Sequence, residues 1–367
     1  MALLRLPDPV GTRVRVPLRL GGVTTVHDEA PPASVGLSDS AVGRIWRAVE
    51  LMFRTGLHPG ISLVVHHRGR PVLARAIGHR RTDGEELMTP DTPACLFSCS
   101  KAITAVVVHK LAEDGVIGLD DTVASYLPEF GVNGKDHVTI RDLLTHRAGL
   151  ARIPIDDPDP MLLFDVEFVV DELCAAPLAN YSRQAYHAVT SGYILGAVTE
   201  RAAGRGLPEL LAELLAPLDA RTVTYGVPPE RRDDVALSYT TGATRLPVLR
   251  QAVGRLIGLD PDKVAPAMNH PLAMSRVLPA AGIWAGATDV ARIFQLLLDG
   301  GRWNGQQVLA ERTVAEAVRP AGPLVIDATL PAPIRFSAGF MLGERLGSLY
   351  GTNTAQAFGH LGFTNVL

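Results

Sequence analysis

The stretch Cys95–Asp121, CLFSCSKAITAVVVHKLAEDGVIGLDD, places one of the chain's four lysines at the start of an apolar helical pattern. Apolar residues recur at helical spacing after Lys101 until Gly115 supplies a stop signal, so we predict a helix here. Ser98 precedes Lys101 by three residues, which puts both side chains on one helical face. A serine needs a neighbouring base to act as a nucleophile, and burial helps a lysine to lose its proton. The stretch predicts a nucleophile with its base; the alternative is an N-cap serine beside a solvated lysine.

Composition narrows the classes of partner. The chain has 367 residues, 47% of them hydrophobic, and a net charge of -3. This length supports one large core or two subdomains, and the charge gives no indication of a nucleic-acid partner. The cysteines show no spacing typical of a metal site or disulfide, and the sequence implies no metal or other cofactor.

The N-terminal segment MALLRLPDPVGTRVRVPLRL does not read as a signal peptide, because Arg5, Pro7 and Asp8 interrupt its apolar run. No apolar run approaches the roughly 18 residues that a membrane helix needs. We therefore expect a cytoplasmic protein without a transmembrane segment, and leave peripheral membrane association open. The oligomeric state is not readable from the sequence.

Patterns on both sides of the opening stretch suggest a mixed α/β fold. Residues 1–36 are rich in Pro and Gly and are predicted as an extended arm. A helix over 39–55 has Val42, Ile45, Trp46, Val49 and Phe53 on one face, and a hairpin follows around the segment RGR. Helical patterns dominate the middle of the chain, and strand patterns return in 335–347 and 356–367.

Three segments together resemble the serine β-lactamase-like family, which includes class C β-lactamases, penicillin-binding proteins and family VIII carboxylesterases. They are Thr92–Phe130, Ile140–Leu150 and the segment beginning PAAGIWAGATDVARIF at Pro279. The resemblance implies an α+β fold with an antiparallel sheet flanked by helices. The strand-rich ends around a helical middle predict a sheet subdomain over 37–97 and 276–367 and a mostly helical inserted subdomain over 98–275.

The resemblance also implies a tyrosine base. Tyr186, in YHAVTSGYILG, matches the tyrosine whose phenolate takes the proton from the serine. We expect nearby cations and a desolvated pocket to lower its pKa. Tyr193 reads as a core residue, and Tyr181, in NYSRQ, is a weaker rival. The Pro-Gly pair usual before this tyrosine is absent, and PLANYSRQAY stands there instead.

A third family element matches the segment His360-Leu361-Gly362, which implies a substrate-binding strand. Gly362 would let substrate lie against the strand backbone. By matching position, the backbone N–H groups of Ser98 and Phe363 would hold the oxyanion. The chain ends four residues after Phe363, so we expect the sheet subdomain to lack its C-terminal end.

Two departures from the family pattern favour an ester substrate over a lactam. His360 stands where lactam-hydrolysing members usually carry lysine, and a neutral histidine attracts a carboxylate less strongly. Ala188 stands where an asparagine would hold a lactam side-chain amide. We expect a serine hydrolase of short-chain carboxylic esters. A β-lactamase, a D-amino peptidase, an acyltransferase and a catalytically dead binding homologue remain alternatives.

Other chemically suggestive residues are interpreted as structural. His66 and His67 are adjacent on a predicted strand and point to opposite faces, so they cannot easily share a metal ion. His146 is read as a structural hydrogen-bonding residue, and Cys99 as a packing residue beside Ser98.

Overall fold

The computed structural model describes residues 14–155, 160–179, 181–241, 254 and 260–367. The chain divides into two compact units. The first contains 1–95, 228–270 and 285–295, and the second contains 96–227, 271–284 and 296–367.

The described strands follow one another along the chain as β1 Thr24–Val26, β2 Gly60–His67, β3 Arg70–Gly78, β4 Ala94–Cys95, β5 Thr224–Tyr225, β6 Ile283–Ala285, β7 Arg302–Trp303, β8 Gln306–Gln307, β9 Val325–Ile326, β10 Pro333–Phe336, β11 Met341–Leu342 and β12 Phe358–Gly359. The described α-helices are α1 Asp39–Arg54, α2 Ser100–Glu113, α3 Ile140–Leu144, α4 Val166–Ala175, α5 Thr190–Ala203, α6 Leu207–Leu215, α7 Pro261–Met268, α8 Pro271–Met274, α9 Ala287–Leu298 and α10 Glu311–Val318.

In the first unit, helix α1 packs on a three-stranded antiparallel sheet in the order β1-β3-β2. The helix begins where Ser38 caps it by accepting the N–H of Ala41 at 3.2 Å. Its predicted apolar face is confirmed except for Ile45, whose surface is 43% exposed. That prediction was wrong because Ile45 lies at the margin of the apolar stripe.

The second unit is organised around α2. Every residue from Ser100 to His109 is buried, because α5, α6 and α10 all pack against this helix. A four-stranded antiparallel sheet in the order β9-β10-β11-β12 belongs to the same unit. A helix buried on all sides, as α2 is over these residues, is typical of the centre of a core, whereas a surface helix is amphipathic.

The mixed α/β class with helices and antiparallel sheets is confirmed. Strands from the two chain ends nevertheless form separate sheets among the described residues. Residues 296–367 group with 96–227, which differs from the predicted pairing of 276–367 with 37–97. A strand's own pattern does not encode which strand it pairs with. The predicted subdomain limits stay a prediction. None of the described helices is both long and apolar enough to cross a membrane.

The turn between β10 and β11 lies directly against α2. A Cβ atom on Gly339 would lie 2.1 Å from the Cβ of Ala105, and Gly339 has φ +116°. The adjacent carbonyl of Ala338 is 2.8 Å from the His109 Nε2 atom. Glycine is therefore required here both by its backbone conformation and by the close approach to the helix.

We expect Gly339→Ala to destabilise the protein by about 3 kcal/mol or more, because α2 must move as well as the turn. Gly115→Ala is the matched control: Gly115 also has a positive φ, +72°, but a Cβ there meets nothing within 4 Å. The control should lose only about 1 kcal/mol from backbone strain. Urea denaturation measures the stability of both variants. Equal losses of stability would contradict the close approach of Gly339 to α2.

Candidate active site

Ser98 lies in a single 3-10 turn, Phe97–Cys99, that leads directly into α2. Its side chain is partly exposed, whereas Phe97 and Cys99 are buried. Phe97 has φ +46°, in the left-handed region, which costs an aromatic residue about 1–3 kcal/mol. No sequence signal predicts this conformation. Such strain is commonly found at functional sites, where the surrounding structure maintains it.

Lys101 is buried beside Ser98. Its Nζ atom lies 3.2 Å from Ser98 Oγ, 2.6 Å from the carbonyl oxygen of Ala188 and 3.0 Å from that of Ala280. No salt bridge of the described residues includes Lys101. Burial without a counter-ion lowers the pKa of Lys101 to about 7.

The three contacts of Lys101 fit either protonation state of the amine. A neutral amine has two N–H groups and one lone pair, and the two carbonyls can accept both N–H groups. The lone pair is then left for the proton of Ser98. In the charged form, the third N–H group would instead donate to Ser98. The geometry accommodates both states, and a pKa near 7 populates both at neutral pH.

The carbonyl of Ala280 is held in place by α2 itself. Thr104 donates to the carbonyl of Pro279 at 2.7 Å, and the N–H of Ile283 donates to Ser100 Oγ at 3.1 Å. On the other side, a Cβ atom on Gly192 would lie 2.6 Å from Ala280. The Ala280 carbonyl, which accepts from Lys101, is thus fixed by the hydrogen bonds of the residues on either side of it and by the close packing of α5.

Tyr186 is brought to Ser98, with which its side chain forms a hydrogen bond. Its ring centroid lies 5.1 Å from the Lys101 Nζ atom, and its ring stacks on Phe336 at 6.3 Å. Burial raises the pKa of Tyr186, the bond to Ser98 lowers it, and the nearby Asp327 raises it further. The predicted lowering of this pKa is therefore wrong, because desolvation disfavours a phenolate as it disfavours any charged form.

The other tyrosines considered have different partners. The hydroxyl of Tyr193 lies on buried α5 and donates to the carbonyl of Leu163 at 2.5 Å. The hydroxyl of Tyr181 donates to Asp142 at 3.1 Å, near the surface. Of the three, Tyr186 alone is hydrogen-bonded to Ser98 within the described part of the chain.

His360 lies next to Tyr186, with ring centroids 6.0 Å apart. It is only 1% exposed, and its Nδ1 atom is 2.7 Å from the carbonyl oxygen of Leu361. Burial and the neighbouring Lys101 lower the pKa of His360 to about 3, so the ring is neutral. Leu361 packs against the cluster of buried residues around Tyr186.

The segment after His360 lies alongside the Ser98 turn. A Cβ atom on Gly362 would lie 2.5 Å from the carbonyl oxygen of Leu96, and Cys99 Sγ donates to the carbonyl of His360 at 3.1 Å. The close approach that requires glycine here is therefore to the turn itself. The rings of Phe97 and Phe363 are 5.7 Å apart.

Two backbone N–H groups at this junction are available to a substrate. Neither the N–H of Ser98 nor that of Phe363 has an acceptor within the residues that the structure describes. Their availability is compatible with the oxyanion role implied by the family resemblance.

Sequence reasoning missed Asp327, which accepts the backbone N–H of Tyr186 at 3.0 Å. The two residues are 141 positions apart, and an aspartate in a loop carries no signal that would connect it with a distant tyrosine.

His146 was predicted as a structural hydrogen-bonding residue, and its backbone and ring do accept hydrogen bonds from residues beside Tyr186.

The described residues contain no group of three or more His, Cys, Asp and Glu side chains that could hold a metal ion. His66 and His67 both lie on β2, as predicted.

We expect Lys101→Met to stabilise the protein by about 2 kcal/mol near pH 6, even though it removes donors from two carbonyls. Below pH 7 the lysine is charged in both the folded and the unfolded chain, so folding carries the whole burial cost. Above pH 7 the folded protein has lost a proton that the unfolded chain retains, so the wild type recovers stability as pH rises.

Urea denaturation at pH 6 and pH 9 checks this expectation. Lys110→Met is the control, because Lys110 is on the same helix but pairs with Asp114 at the surface. That variant should change stability by less than about 1 kcal/mol. A Lys101→Met protein less stable than the wild type at pH 6 would contradict the proposed burial cost.

Comparison with known proteins places the chain in a family. A family model described as Beta-lactamase matches residues 49–367. Esterase/beta-lactamase LipL of Mycobacterium tuberculosis (strain ATCC 25618 / H37Rv) is 29% identical over 340 residues, covering 89% of this chain and 77% of that protein.

Two solved structures resemble the chain along most of its length. A penicillin-binding protein homologue from Caulobacter crescentus has a TM-score of 0.74 and 28% identity, covering 92% of this chain and 88% of that one. A family VIII carboxylesterase has a TM-score of 0.76 and 25% identity, covering 92% and 87%. The protein therefore belongs to the beta-lactamase family and is a serine hydrolase.

Proposed function

We propose that the protein is a carboxylesterase that cleaves short-chain acyl esters through an acyl-enzyme on Ser98. The observation that carries this proposal is the buried Lys101 amine, which is held by two carbonyls and lies 3.2 Å from Ser98 Oγ. Similarity to an esterase/beta-lactamase and to a family VIII carboxylesterase supports the reaction class.

In the acylation step, neutral Lys101 takes the proton of Ser98 while Ser98 Oγ attacks the ester carbonyl carbon. The N–H groups of Ser98 and Phe363 stabilise the negative charge that develops on the carbonyl oxygen. The proton then passes from Lys101 through the hydroxyl of Tyr186 to the leaving alkoxide, and the C–O bond breaks. The products of this step are the alcohol and an ester on Ser98.

Water reverses the sequence in deacylation. Lys101, again neutral, accepts a proton from the attacking water by way of the Tyr186 hydroxyl, and the proton returns to Ser98 when the acid leaves. The raised pKa of Tyr186 suits a phenol that passes a proton on at each step, since a phenolate would be costly in this buried position. Lys101 is thus the base, and Tyr186 is its partner in proton transfer.

The preference for a neutral ester over a lactam follows from the charge of the site. Lactam and D-peptide substrates carry a carboxylate that needs a cationic partner. His360 is neutral and 1% exposed, so it offers no such charge. The side chain of Ala188 has no polar group to hold a substrate amide. β-Lactam hydrolysis remains the second candidate because the relative LipL is named an esterase/beta-lactamase.

The pH dependence of ester hydrolysis tests the assignment of Lys101. Because acylation needs the neutral amine, kcat/KM for p-nitrophenyl butyrate should fall about tenfold for each pH unit below a pKa near 7 and level off above it. Steady-state kinetics between pH 5 and pH 9 measure the profile. A profile that is flat through this range would contradict a lysine base.

Substrate competition tests the reaction class. We expect turnover of p-nitrophenyl acetate and butyrate to exceed that of the decanoate ester and of a chromogenic cephalosporin. Ser98→Ala should lose activity towards all of them, and mass spectrometry should detect an acyl adduct on Ser98 alone. Dominant cephalosporin turnover would favour the lactamase alternative. The absence of both turnover and adduct would favour a binding homologue.

Tyr186→Phe tests the proton transfer. We expect kcat for p-nitrophenyl butyrate to fall about 100-fold or more while KM changes little, because the phenyl ring keeps the packing on Phe336 and loses only the hydroxyl. Tyr193→Phe is the control, since the hydroxyl of Tyr193 bonds the carbonyl of Leu163 instead. Equal kcat values for wild type and Tyr186→Phe would remove Tyr186 from the mechanism.

A further inference from the structure

Tyr186 lies in a segment without regular secondary structure. Residues 184–188 belong to neither helix nor strand, so no helical or sheet ladder fixes the backbone that carries the phenol. Its position must come from contacts with other parts of the chain. Three consecutive backbone N–H groups, those of Ala185, Tyr186 and His187, each donate to a buried acceptor.

Two of these acceptors belong to His146. Its carbonyl accepts the N–H of Ala185 at 3.0 Å, and its Nδ1 atom accepts the N–H of His187 at 3.2 Å. The ring is neutral in this arrangement, because a protonated Nδ1 cannot accept. It also packs against the ring of Tyr186, with centroids 4.7 Å apart. His146 therefore contacts the segment through its backbone, its ring nitrogen and its ring face.

The backbone of His146 is itself unusual. It has φ +59°, in the left-handed region, and directly follows Thr145, the C-cap residue of α3. Few residues other than glycine tolerate this conformation, although Asn, Asp and His are enriched there. The conformation allows both the carbonyl and Nδ1 of one residue to face the segment that contains Tyr186.

The third acceptor belongs to Asp327, in the turn that follows β9. Its Oδ1 atom accepts the N–H of Tyr186 at 3.0 Å and also those of Thr329 at 2.8 Å and Leu330 at 2.9 Å. The carboxylate is 1% exposed. Because its own turn holds Oδ1 in place, this atom provides a fixed point for the backbone of Tyr186.

We propose that His146 and Asp327 are positioning residues that hold the Tyr186 hydroxyl against Ser98 by accepting the three consecutive N–H groups around it. The inference rests on the proposed function, in which Tyr186 passes the proton. A displacement of about 1 Å in such a group can lower a rate about 100-fold. Neither residue itself contacts the reacting atoms.

A matched pair at His146 tests the ring-nitrogen contact. Asn tolerates the left-handed conformation and can offer Oδ1 as acceptor, whereas Gly tolerates the conformation and offers no side-chain acceptor. We expect His146→Gly to lower kcat for p-nitrophenyl butyrate about 10- to 100-fold with KM nearly unchanged. His146→Asn should recover most of the loss.

The same two substitutions in a Tyr186→Phe background distinguish positioning from general stability. If His146 acts through the tyrosine hydroxyl, His146→Gly should lower kcat by less than about threefold once that hydroxyl is gone. Equal losses in both backgrounds, or a His146→Gly enzyme with wild-type kcat, would overturn the inference for this residue.

Asp327→Asn and Asp327→Ala form a second pair of variants. This pair tests the positioning role even if the His146 variants fold poorly. The amide of Asn keeps an oxygen that can accept the N–H of Tyr186, and Ala removes it. We expect Asp327→Ala to lower kcat by about the same 10- to 100-fold, and Asp327→Asn to lie within about fivefold of wild type. Wild-type kcat in Asp327→Ala would overturn the role of the carboxylate.

A readout independent of turnover separates failure of this inference from failure of the proposed function. The carbonyl of Ala188, two residues after Tyr186, accepts from Lys101 at 2.6 Å, so displacement of the segment must change the surroundings of the lysine. We expect the ¹³Cε signal of Lys101 to shift in His146→Gly and Asp327→Ala and to stay near its wild-type position in the Asn variants. Unshifted signals in all four variants would overturn the inference even for an enzyme inactive on esters.

Discussion

The structure depends most directly on the burial of one amine without a counter-ion. Lys101 lies inside the core and is held by two backbone carbonyls rather than by a carboxylate. A carboxylate partner would keep the lysine charged, whereas burial without one lowers the pKa of the amine to about 7. The two carbonyl contacts leave the third position on the nitrogen facing Ser98.

The surrounding fold serves to maintain that arrangement. Helix α2 is buried along most of its length, so the first turn that carries Lys101 is kept away from water. Gly192 lets α5 approach Ala280, and Gly339 lets the β10–β11 turn lie against α2. Burial of an unpaired amine costs stability, and the left-handed Phe97 adds to that cost. Stability lost at a site of this kind is a common consequence of its function.

The parts of the site encoded by local pattern could be predicted. The spacing of Ser98 and Lys101 on a helix start follows from helical geometry, and the capping of α1 and α3 follows from their N-cap residues. Tyr186 required a family resemblance, because it lies in an irregular segment. Its raised pKa could not be foreseen, since burial depends on distant residues. Asp327 carried no signal at all, because only the tertiary fold brings it to the tyrosine.

The proposed mechanism requires Lys101 to be partly neutral at physiological pH. The chain has only four lysines, so a protein labelled with ¹³Cε-lysine should give four signals, and Lys101→Met identifies the relevant one. We predict that the Lys101 signal titrates with a midpoint near pH 7, whereas that of Lys110 titrates only at alkaline pH, because its bond to Asp114 raises the pKa of that lysine. A Lys101 midpoint above pH 10 would contradict the account, because the amine would then be charged and unable to accept the proton of Ser98.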